Sequence, residues 1–310
     1  MPHQPDQSTI QPDIAALGLQ RGAVRFQPPQ PEWAAQAKLT IRQLQACLGP
    51  LALDIQHVGS TAIPGLMAKP ILDIAAVVRD LADLQSPDCQ ARLQAQGFLL
   101  RPCDLPDQLL LARGDYSRPD GRQTHFIHVV PAGSLAWRNY LNFRDFLTAH
   151  PQARQAYQIL KQQLADAHPD AGGRGPCTAG KAGFIRQTLR EALLWRCLGQ
   201  RLTLTIDRPL GSRHPERPTD PPYPVNYGYL PGITAPDGEA LDAYILGPEQ
   251  PLTQFTGRAI AAVCRRDDCE DKLIVIADED DLQKYTADRI MAAVHFQEQY
   301  FDSRVVFHFN

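Results

Sequence analysis

The chain has 310 residues, 44% of them hydrophobic and 21% charged, which is a globular composition with room for about two domains. A formal net charge of −3 provides no field that would attract nucleic acid or an anionic membrane, and no apolar run has the length of a membrane span. The first residues do not form a secretory signal, and the seven scattered cysteines contain no CxxC pair. We therefore expect a cytoplasmic protein with reduced thiols.

The first part of the chain predicts an α+β domain. Residues 1–20 are polar and contain prolines, which favours a flexible tail. After Pro31, apolar residues recur at steps of three and four, which predicts a helix that ends at Gly49. We expect further helices at 80–96, 135–149, 151–167 and 180–197, and strands at 51–58, 71–78, 108–112 and 124–130. This order of strands before helices is typical of an α+β fold.

A glycine–serine turn, Gly59-Ser60, follows the first of these strands. Free backbone N–H groups in such a turn suit a phosphate. Asp73 follows thirteen residues after Ser60 on the next expected strand, an arrangement that resembles the nucleotidyltransferases. Lys69 precedes this strand, where its charge is costly unless it meets a phosphate or the acid. The sequence therefore predicts an N-terminal ligand site that consists of Gly59, Ser60, Lys69 and Asp73.

The run that starts at His57, His-Val-Gly-Ser-Thr-x-x-Pro-Gly-Leu-x-x-Lys-Pro-Ile-x-Asp, resembles the GrpB family. The resemblance covers about residues 22–195 and implies a nucleotidyltransferase-like domain. Nucleotidyltransferases usually carry a second acid two residues after the first, but this chain has Ala75 there, and one carboxylate makes a poor two-metal site. Catalysis and binding without turnover therefore both stay open. Other ordered matches are Thr124–Val130, Phe143–Phe146, Tyr157 with Lys161, and Gly180-Lys181 before Phe184-Ile185.

The pattern changes near Leu198–Arg201, and we place the boundary there, between a domain at 21–197 and a domain at 201–310. Leu202–Ile206 alternates apolar and polar residues, as a half-buried strand does. Several short strands with one helix predict a small, mainly-β domain with an OB-like barrel. The further strands are expected at 258–264, 273–277 and 305–309, and the helix at about 286–301.

Three carboxylates end an aromatic, turn-rich segment that starts at Tyr223. Asp237, Glu239 and Asp242 stand at positions i, i+2 and i+5 around a glycine, so they can converge on one point. Hard divalent cations prefer such oxygen ligands. The spacing alone leaves a solvated acidic loop equally open.

The segment from Tyr-Pro-Val-Asn-Tyr-Gly-Tyr to Asp-Gly-Glu-Ala-Leu-Asp resembles the signature of the soluble inorganic pyrophosphatases of family I. The resemblance covers about residues 201–302. It implies Mg²⁺-dependent hydrolysis of pyrophosphate or a related phosphoanhydride. The expected partner is thus a small-molecule substrate, without nucleic acid or membrane, and a homo-oligomer is left open.

The same resemblance implies roles for individual residues. Glu239 stands where the family has an aspartate that receives the proton of the attacking water, and Tyr227 would act beside it. The family's N-terminal hairpin has no counterpart here and Phe301 replaces a usual lysine, so Arg213 and His214 are candidate replacement cations. The implied metal ligands are Asp237, Asp242, Asp271 and Asp267 (or Asp268). The implied substrate contacts are Arg208, Tyr227, Tyr300 and Lys272.

Three hypotheses follow. The first is a Mg²⁺-dependent pyrophosphate hydrolase fused to a GrpB-like domain that binds a nucleotide or phosphate. The second is a pair of non-catalytic binding modules for phosphorylated metabolites. The third is a nucleotidyltransferase with an inert pyrophosphatase remnant.

Overall fold

The structure is a computed structural model, and the chain divides into two compact units, Met1–Gly183 and Phe184–Asn310. Among the described residues, no helix is both long enough and apolar enough to cross a membrane. The domain boundary expected near Leu198–Arg201 stays a prediction. The structure describes residues 17–105, 107–118, 121–168, 174–216, 219–235 and 238–309.

The first unit contains a six-stranded mixed sheet, in which β3 and β6 are parallel neighbours and the other pairs are antiparallel. The order is β2-β3-β6-β5-β4, and the short β1 pairs with the start of β6. The strands are β1 (Leu19–Gln20), β2 (Ala52–Val58), β3 (Leu72–Val78), β4 (Leu99–Arg101), β5 (Leu109–Gly114) and β6 (Arg122–Pro131).

Helices accompany this sheet, which confirms the predicted α+β fold. The first helix has a proline in its first turn and ends at Gly49, whose φ of 55° favours glycine. Its residues Trp33 and Leu44 belong to the same buried core as Leu72 and Ile74 of β3. The helices are α1 (Pro31–Leu48), α2 (Pro87–Ala95), α3 (Leu135–Ala149), α4 (Pro151–Ala167) and α5 (Arg174–Ala179).

The sequence analysis missed short elements. Leu17 and Leu19, assigned to a flexible tail, are buried, and Leu19 pairs in β1 because its apolar side chain is covered there. The helix expected at 80–96 starts only at Pro87, after a 3₁₀ turn. Strand β4 and helix α5 were not predicted, since three and six residues contain too little periodicity to recognise.

The second unit is a closed barrel of five strands, and a sixth strand is added at its side, which confirms the predicted small barrel. Closure results because β11 pairs with both β9 and β10. Helix α7 (Ala287–Glu298) packs Ile290 and Val294 into one of the two buried clusters, and α6 (Ala182–Cys197) belongs to this unit from Phe184 onward. The strands are β7 (Arg201–Arg208), β8 (Asn226–Thr234), β9 (Ala240–Ile245), β10 (Gln254–Arg265), β11 (Lys272–Ile276) and β12 (Ser303–Val306).

The segment that was interpreted as turn-rich contains the hairpin of β8 and β9. Tyr227 pairs with Tyr244, and Tyr229 pairs with Asp242. Aromatic residues are good strand formers, and this property outweighs the local turn signals. Gly228 is required at the crossing with β7, because a Cβ atom there would lie 2.0 Å from the carbonyl oxygen of Thr205.

We predict that Gly228→Ala destabilises the barrel, because the new Cβ atom overlaps backbone that cannot move without breaking the β7–β8 pairing. The expected loss in the free energy of unfolding is about 2 kcal/mol or more, measured as a lower transition temperature in calorimetry. Gly183→Ala is the control, since nothing lies within 4 Å of its Cβ position. Equal transition temperatures for the two variants would contradict this packing argument.

Candidate functional site

The first unit contains a pocket of about 290 Å³ beside the turn that follows β2. The structure brings all four predicted N-terminal site residues together in its wall. Three aromatic rings to which the sequence analysis gave no role, Phe26, Phe126 and Phe143, also line it. The four predicted residues are Gly59, Ser60, Lys69 and Asp73.

Glycine at position 59 allows the turn to approach the acid. Gly59 has a φ of 68°, and a Cβ atom on it would lie 2.6 Å from Oδ2 of Asp73. Asp73 also lies 3.6 Å from Nε2 of His128. The turn backbone and the Asp73 carboxylate therefore lie side by side in one wall of the pocket. A larger residue at position 59 would push them apart.

Two other histidines of this region form side-chain hydrogen bonds; His125 is buried and His57 is partly buried. Burial lowers the pKa of His57 to about 4 and that of His125 to about 3, so both rings are neutral at physiological pH. Nε2 of His57 lies 2.9 Å from Oγ1 of Thr61, and Nε2 of His125 lies 3.0 Å from Oγ1 of Thr40. Both rings therefore have a structural role.

Two lysines from the helical side also line the pocket, although the sequence analysis gave them no role. Lys161 is 2% exposed, and its ammonium group donates to the backbone oxygen of Met67. Burial lowers its pKa to about 7, and the charge of Lys181 lowers it further in the same direction. The only sequence signal was their place among the matches to the GrpB family.

The pocket contains few groups that could hold metal ions. Asp73 is the only carboxylate among the described residues that line it. Ala75, where a second acid would stand, is fully buried and pairs with His128 across the sheet. The arrangement can bind an anion, but it lacks the pair of acids that a two-metal reaction requires.

In the second unit, three side chains from neighbouring strands meet. The Tyr227 hydroxyl on β8 donates to the Asp242 carboxylate on β9. Nζ of Lys272 on β11 donates to Oδ2 of Asp242 at 3.1 Å, and Lys272 is only 1% exposed. Burial and the charge of Asp242 raise the pKa of Tyr227 well above its usual value, so the hydroxyl stays a donor. Asp242 remains one-third exposed and can contact a ligand.

Glu270 is a further acid at this position that the sequence analysis missed. Its Oε2 atom lies 3.4 Å from the same Nζ of Lys272. The structure does not bring Asp271 together with Asp242: Nε of Arg190 binds Oδ2 of Asp271 at 2.9 Å, and Nη2 binds Oδ1. Lys272 therefore contacts Asp242 and Glu270, whereas the Asp271 carboxylate is engaged by Arg190.

The remaining predicted acids have other positions. Asp267 accepts hydrogen bonds from the backbone N–H of Asp302 at 3.0 Å. Asp268 binds Nη1 of Arg265 at 2.9 Å. Glu239 is exposed just before β9, and Asp237 lies outside the described residues. The described acids of the loops before β9 and before β11 therefore do not all meet at one point.

The other predicted substrate contacts lie in separate environments. Arg208 binds Oδ2 of its neighbour Asp207 at 2.7 Å, and Arg213 donates to the backbone oxygen of Asp220. Tyr300 is 74% exposed. The ring of Phe301, which replaces the lysine of the family pattern, lies 3.5 Å from the guanidinium carbon of Arg265.

The described acids of the second unit offer few ligands for a divalent cation. Among the described residues, which exclude Asp237, no three histidine, cysteine or acidic side chains are grouped to hold a metal. Asp242 and Glu270 both lie near Nζ of Lys272, at 3.1 and 3.4 Å, so an ammonium group occupies the point on which they converge. These two carboxylates would bind one Mg²⁺ together with water only after exchanging the ammonium group for the cation, and Asp271, held by Arg190, does not join them.

The two parts of the chain match two protein families. The family model of the GrpB protein matches residues 23–191, more than half of the chain, and the chain therefore belongs to the GrpB family. The family model of the inorganic pyrophosphatase matches residues 204–304. The protein is thus a fusion of a GrpB domain and a pyrophosphatase-like domain.

Individual relatives share parts of this architecture. The UPF0157 protein YqkA of Bacillus subtilis is 31% identical over 165 residues, which cover 53% of this chain and 46% of the relative, so this chain spans less than half of that protein. The glutamate-rich protein GrpB of Alkalihalophilus pseudofirmus is 29% identical over 175 residues, which cover 56% of this chain and 99% of the relative. A solved inorganic pyrophosphatase of Coxiella burnetii aligns with 35% of this chain and 84% of its own chain, at 20% identity and a TM-score of 0.28.

We predict that Arg190→Met strongly destabilises the second unit. The side chain of Asp271 is 7% exposed, so loss of Arg190 would leave a buried carboxylate without its guanidinium partner. Removal of one partner of a buried pair costs about 3–5 kcal/mol. The free energy of unfolding, measured with urea, is the readout.

Arg201→Met is the matched control. Arg201 binds Oδ2 of Asp278 at 2.6 Å, but these side chains are 69% and 42% exposed. Exposed pairs contribute about 1 kcal/mol or less. A loss for Arg190→Met no larger than that for Arg201→Met would show that the Asp271 pair is not a stabilising contact.

Proposed function

We propose that the second unit hydrolyses inorganic pyrophosphate or a related phosphoanhydride with Mg²⁺, and that the first unit binds a phosphate-bearing ligand. The contacts of Tyr227 and Lys272 with Asp242 carry the first part of this proposal. They place an acid, a phenol and an ammonium group on adjacent strands of a barrel that matches the pyrophosphatase family. The unpaired cysteine thiols agree with a cytoplasmic setting, which is part of the proposal.

The residues have distinct roles in this proposal. Asp242 and Glu270 would hold the cation, and Tyr227 orients the Asp242 carboxylate through its hydrogen bond. Lys272 offsets the charge of the two acids and offers a positive charge to a substrate phosphate. Glu239 would accept the proton of the attacking water from the loop before β9. When bound, Mg²⁺ would lower the pKa of the attacking water and neutralise charge on the leaving phosphate.

For the first unit, a non-catalytic binding module is the better candidate. The Gly59-Ser60 turn and Lys69 would contact the phosphate of the ligand, and Asp73 lies beside them. The specific observation is the buried Ala75, which leaves the pocket with a single carboxylate among its described residues. This fits the hypothesis of a domain that binds a phosphorylated metabolite without transferring a nucleotide.

Asp242→Asn should lower the rate of pyrophosphate hydrolysis by at least about two orders of magnitude, roughly 3 kcal/mol in the barrier. The change keeps the size of the side chain but removes the charge that holds the cation and that Lys272 faces. Phosphate release from pyrophosphate, with and without Mg²⁺, is the measurement. Glu239→Gln should also slow hydrolysis but leave the affinity for Mg²⁺ closer to that of the parent, because its proposed role is proton acceptance.

Asp278→Asn is the control, because Asp278 forms an exposed ion pair with Arg201 in the same unit. It should hydrolyse pyrophosphate at the rate of the parent. If the parent releases no phosphate in a Mg²⁺-dependent manner, or if Asp242→Asn is as fast as the parent, the hydrolase proposal is wrong and a binding module remains.

Lys69→Ala should weaken nucleotide binding to the first unit about tenfold or more, since it removes one charged contact to a phosphate. Calorimetric titration with a panel of nucleotides measures this affinity. Lys38→Ala, on the exposed face of α1, should bind like the parent. Absence of any binding heat from the parent would retire the phosphate site.

A further inference from the structure

Two ammonium groups meet one aromatic ring on the helical side of the pocket in the first unit. Nζ of Lys161, on α4, lies 5.4 Å from the ring centre of Phe26, and Nζ of Lys181 lies 5.5 Å from the same centre. Lys161 also lies 4.9 Å from the ring centre of Tyr157. Cation–π contacts attract each ammonium group weakly, but they supply no negative charge.

Neither Lys161 nor Lys181 forms an ion pair with a carboxylate in the part of the chain that the structure describes. Burial lowers the pKa of Lys181, and the charge of Asp73 in the same pocket acts in the opposite direction without a direct contact. Lys69 lines the same pocket. A buried ammonium group is costly unless an anion approaches it. Three lysines thus face a pocket whose described lining has the carboxylate of Asp73 alone.

We propose that Lys161 and Lys181 form a paired-ammonium subsite that takes the terminal phosphate of a ligand with at least two phosphate groups. The subsite is continuous with the Gly59-Ser60 turn, because the Tyr157 hydroxyl hydrogen bonds with Ser60 and its ring contacts Lys161. One phosphate would occupy the turn and the next would occupy the lysine pair. This inference rests on the proposed phosphate binding of the first unit and specifies the class of ligand.

Ligand binding at this subsite is coupled to protonation of Lys161. The charged or titratable groups that face it are Lys181 beyond α5, Lys69 and Asp73 around β3, and Tyr157 on its own helix. Without a ligand, burial lowers the pKa of Lys161 to about 7, and the nearby charge of Lys181 acts in the same direction. An anion raises this pKa again. Binding above neutral pH therefore takes up a proton, and the affinity falls as the pH rises.

The test is calorimetric titration of the full chain with ADP and with AMP in the presence of EDTA, so that no metal-dependent binding contributes. The parent should bind ADP about tenfold more weakly at pH 9.0 than at pH 7.5, a range in which ADP itself is fully ionised. Titrations at pH 7.5 in two buffers of different ionisation enthalpy should show net proton uptake with ADP.

Lys161→Met and Lys181→Met should each weaken ADP binding about tenfold or more while changing AMP binding much less. In Lys161→Met the proton uptake should disappear. Lys38→Met, an exposed lysine of α1, is the control and should behave like the parent. Without ligand, Lys161→Met should be at least as stable as the parent, because it removes a buried charge, whereas a purely structural lysine would leave the variant less stable.

The outcomes separate this inference from the proposed function. If the parent binds neither ADP nor AMP, phosphate binding by the first unit is wrong. If the parent binds both nucleotides and the two lysine variants bind ADP as tightly as the parent, the subsite is wrong although the phosphate site stands. Equal affinity of the parent for ADP at the two pH values would likewise overturn the role of Lys161.

Discussion

A buried cation is costly without a nearby negative charge, and the two units of this protein differ in whether their described residues supply one. In the second unit, Arg265 is 3% exposed and binds Glu298 at 2.9 and 3.0 Å. Lys272 lies between two acids, and Arg190 binds Asp271 with two hydrogen bonds. In the first unit, Lys161 is equally buried, but the described residues offer it only a backbone oxygen and aromatic rings. The buried cations of the barrel are paired internally, whereas in the first unit the proposed anionic ligand would supply the charge that Lys161 lacks.

This internal compensation limits which acids of the barrel can act. Asp271 is engaged by a guanidinium group, so the metal ligand that the resemblance implied has a structural partner instead. Arg190 lies on α6, within the residues that match the GrpB family, yet its partner belongs to the pyrophosphatase-like match. The end of one family match thus supplies a side chain to the fold of the other. The acids that keep contact with Lys272 are Asp242 and Glu270.

Local patterns in the sequence were sufficient to predict long helices and compact motifs. The periodicity from Trp33 to Leu48 predicted α1, and the bounds of α3 and α4 agree with the expected helices. The Gly59-Ser60 turn and Asp73 were recognised from their spacing, and the structure places them side by side because β2 and β3 are paired. These features depend on neighbours within one or two elements, and so the sequence is informative about them.

Other features depended on contacts between distant segments. The barrel hairpin was missed because Pro231 and nearby glycines indicate turns, while the pairing of β8 with β7 and β9 forms strands. Lys161 and Lys181 were noted only as family matches, since no local pattern shows that two lysines share the ring of Phe26. The choice between Glu270 and Asp271 depended on a distant residue, because Arg190 engages Asp271 and leaves Glu270 to contact Lys272.

By itself the sequence determined that this chain joins an α+β domain with a glycine–serine turn to a small barrel with an acidic signature. It could do so because composition, periodicity and short motifs are local properties. Only the tertiary structure decided which charges meet. It paired Arg190 with Asp271, set Lys272 between Asp242 and Glu270, and left Lys161 facing a pocket. Electrostatic interactions act through space between strands and helices far apart in the chain, so their outcome depends on the fold.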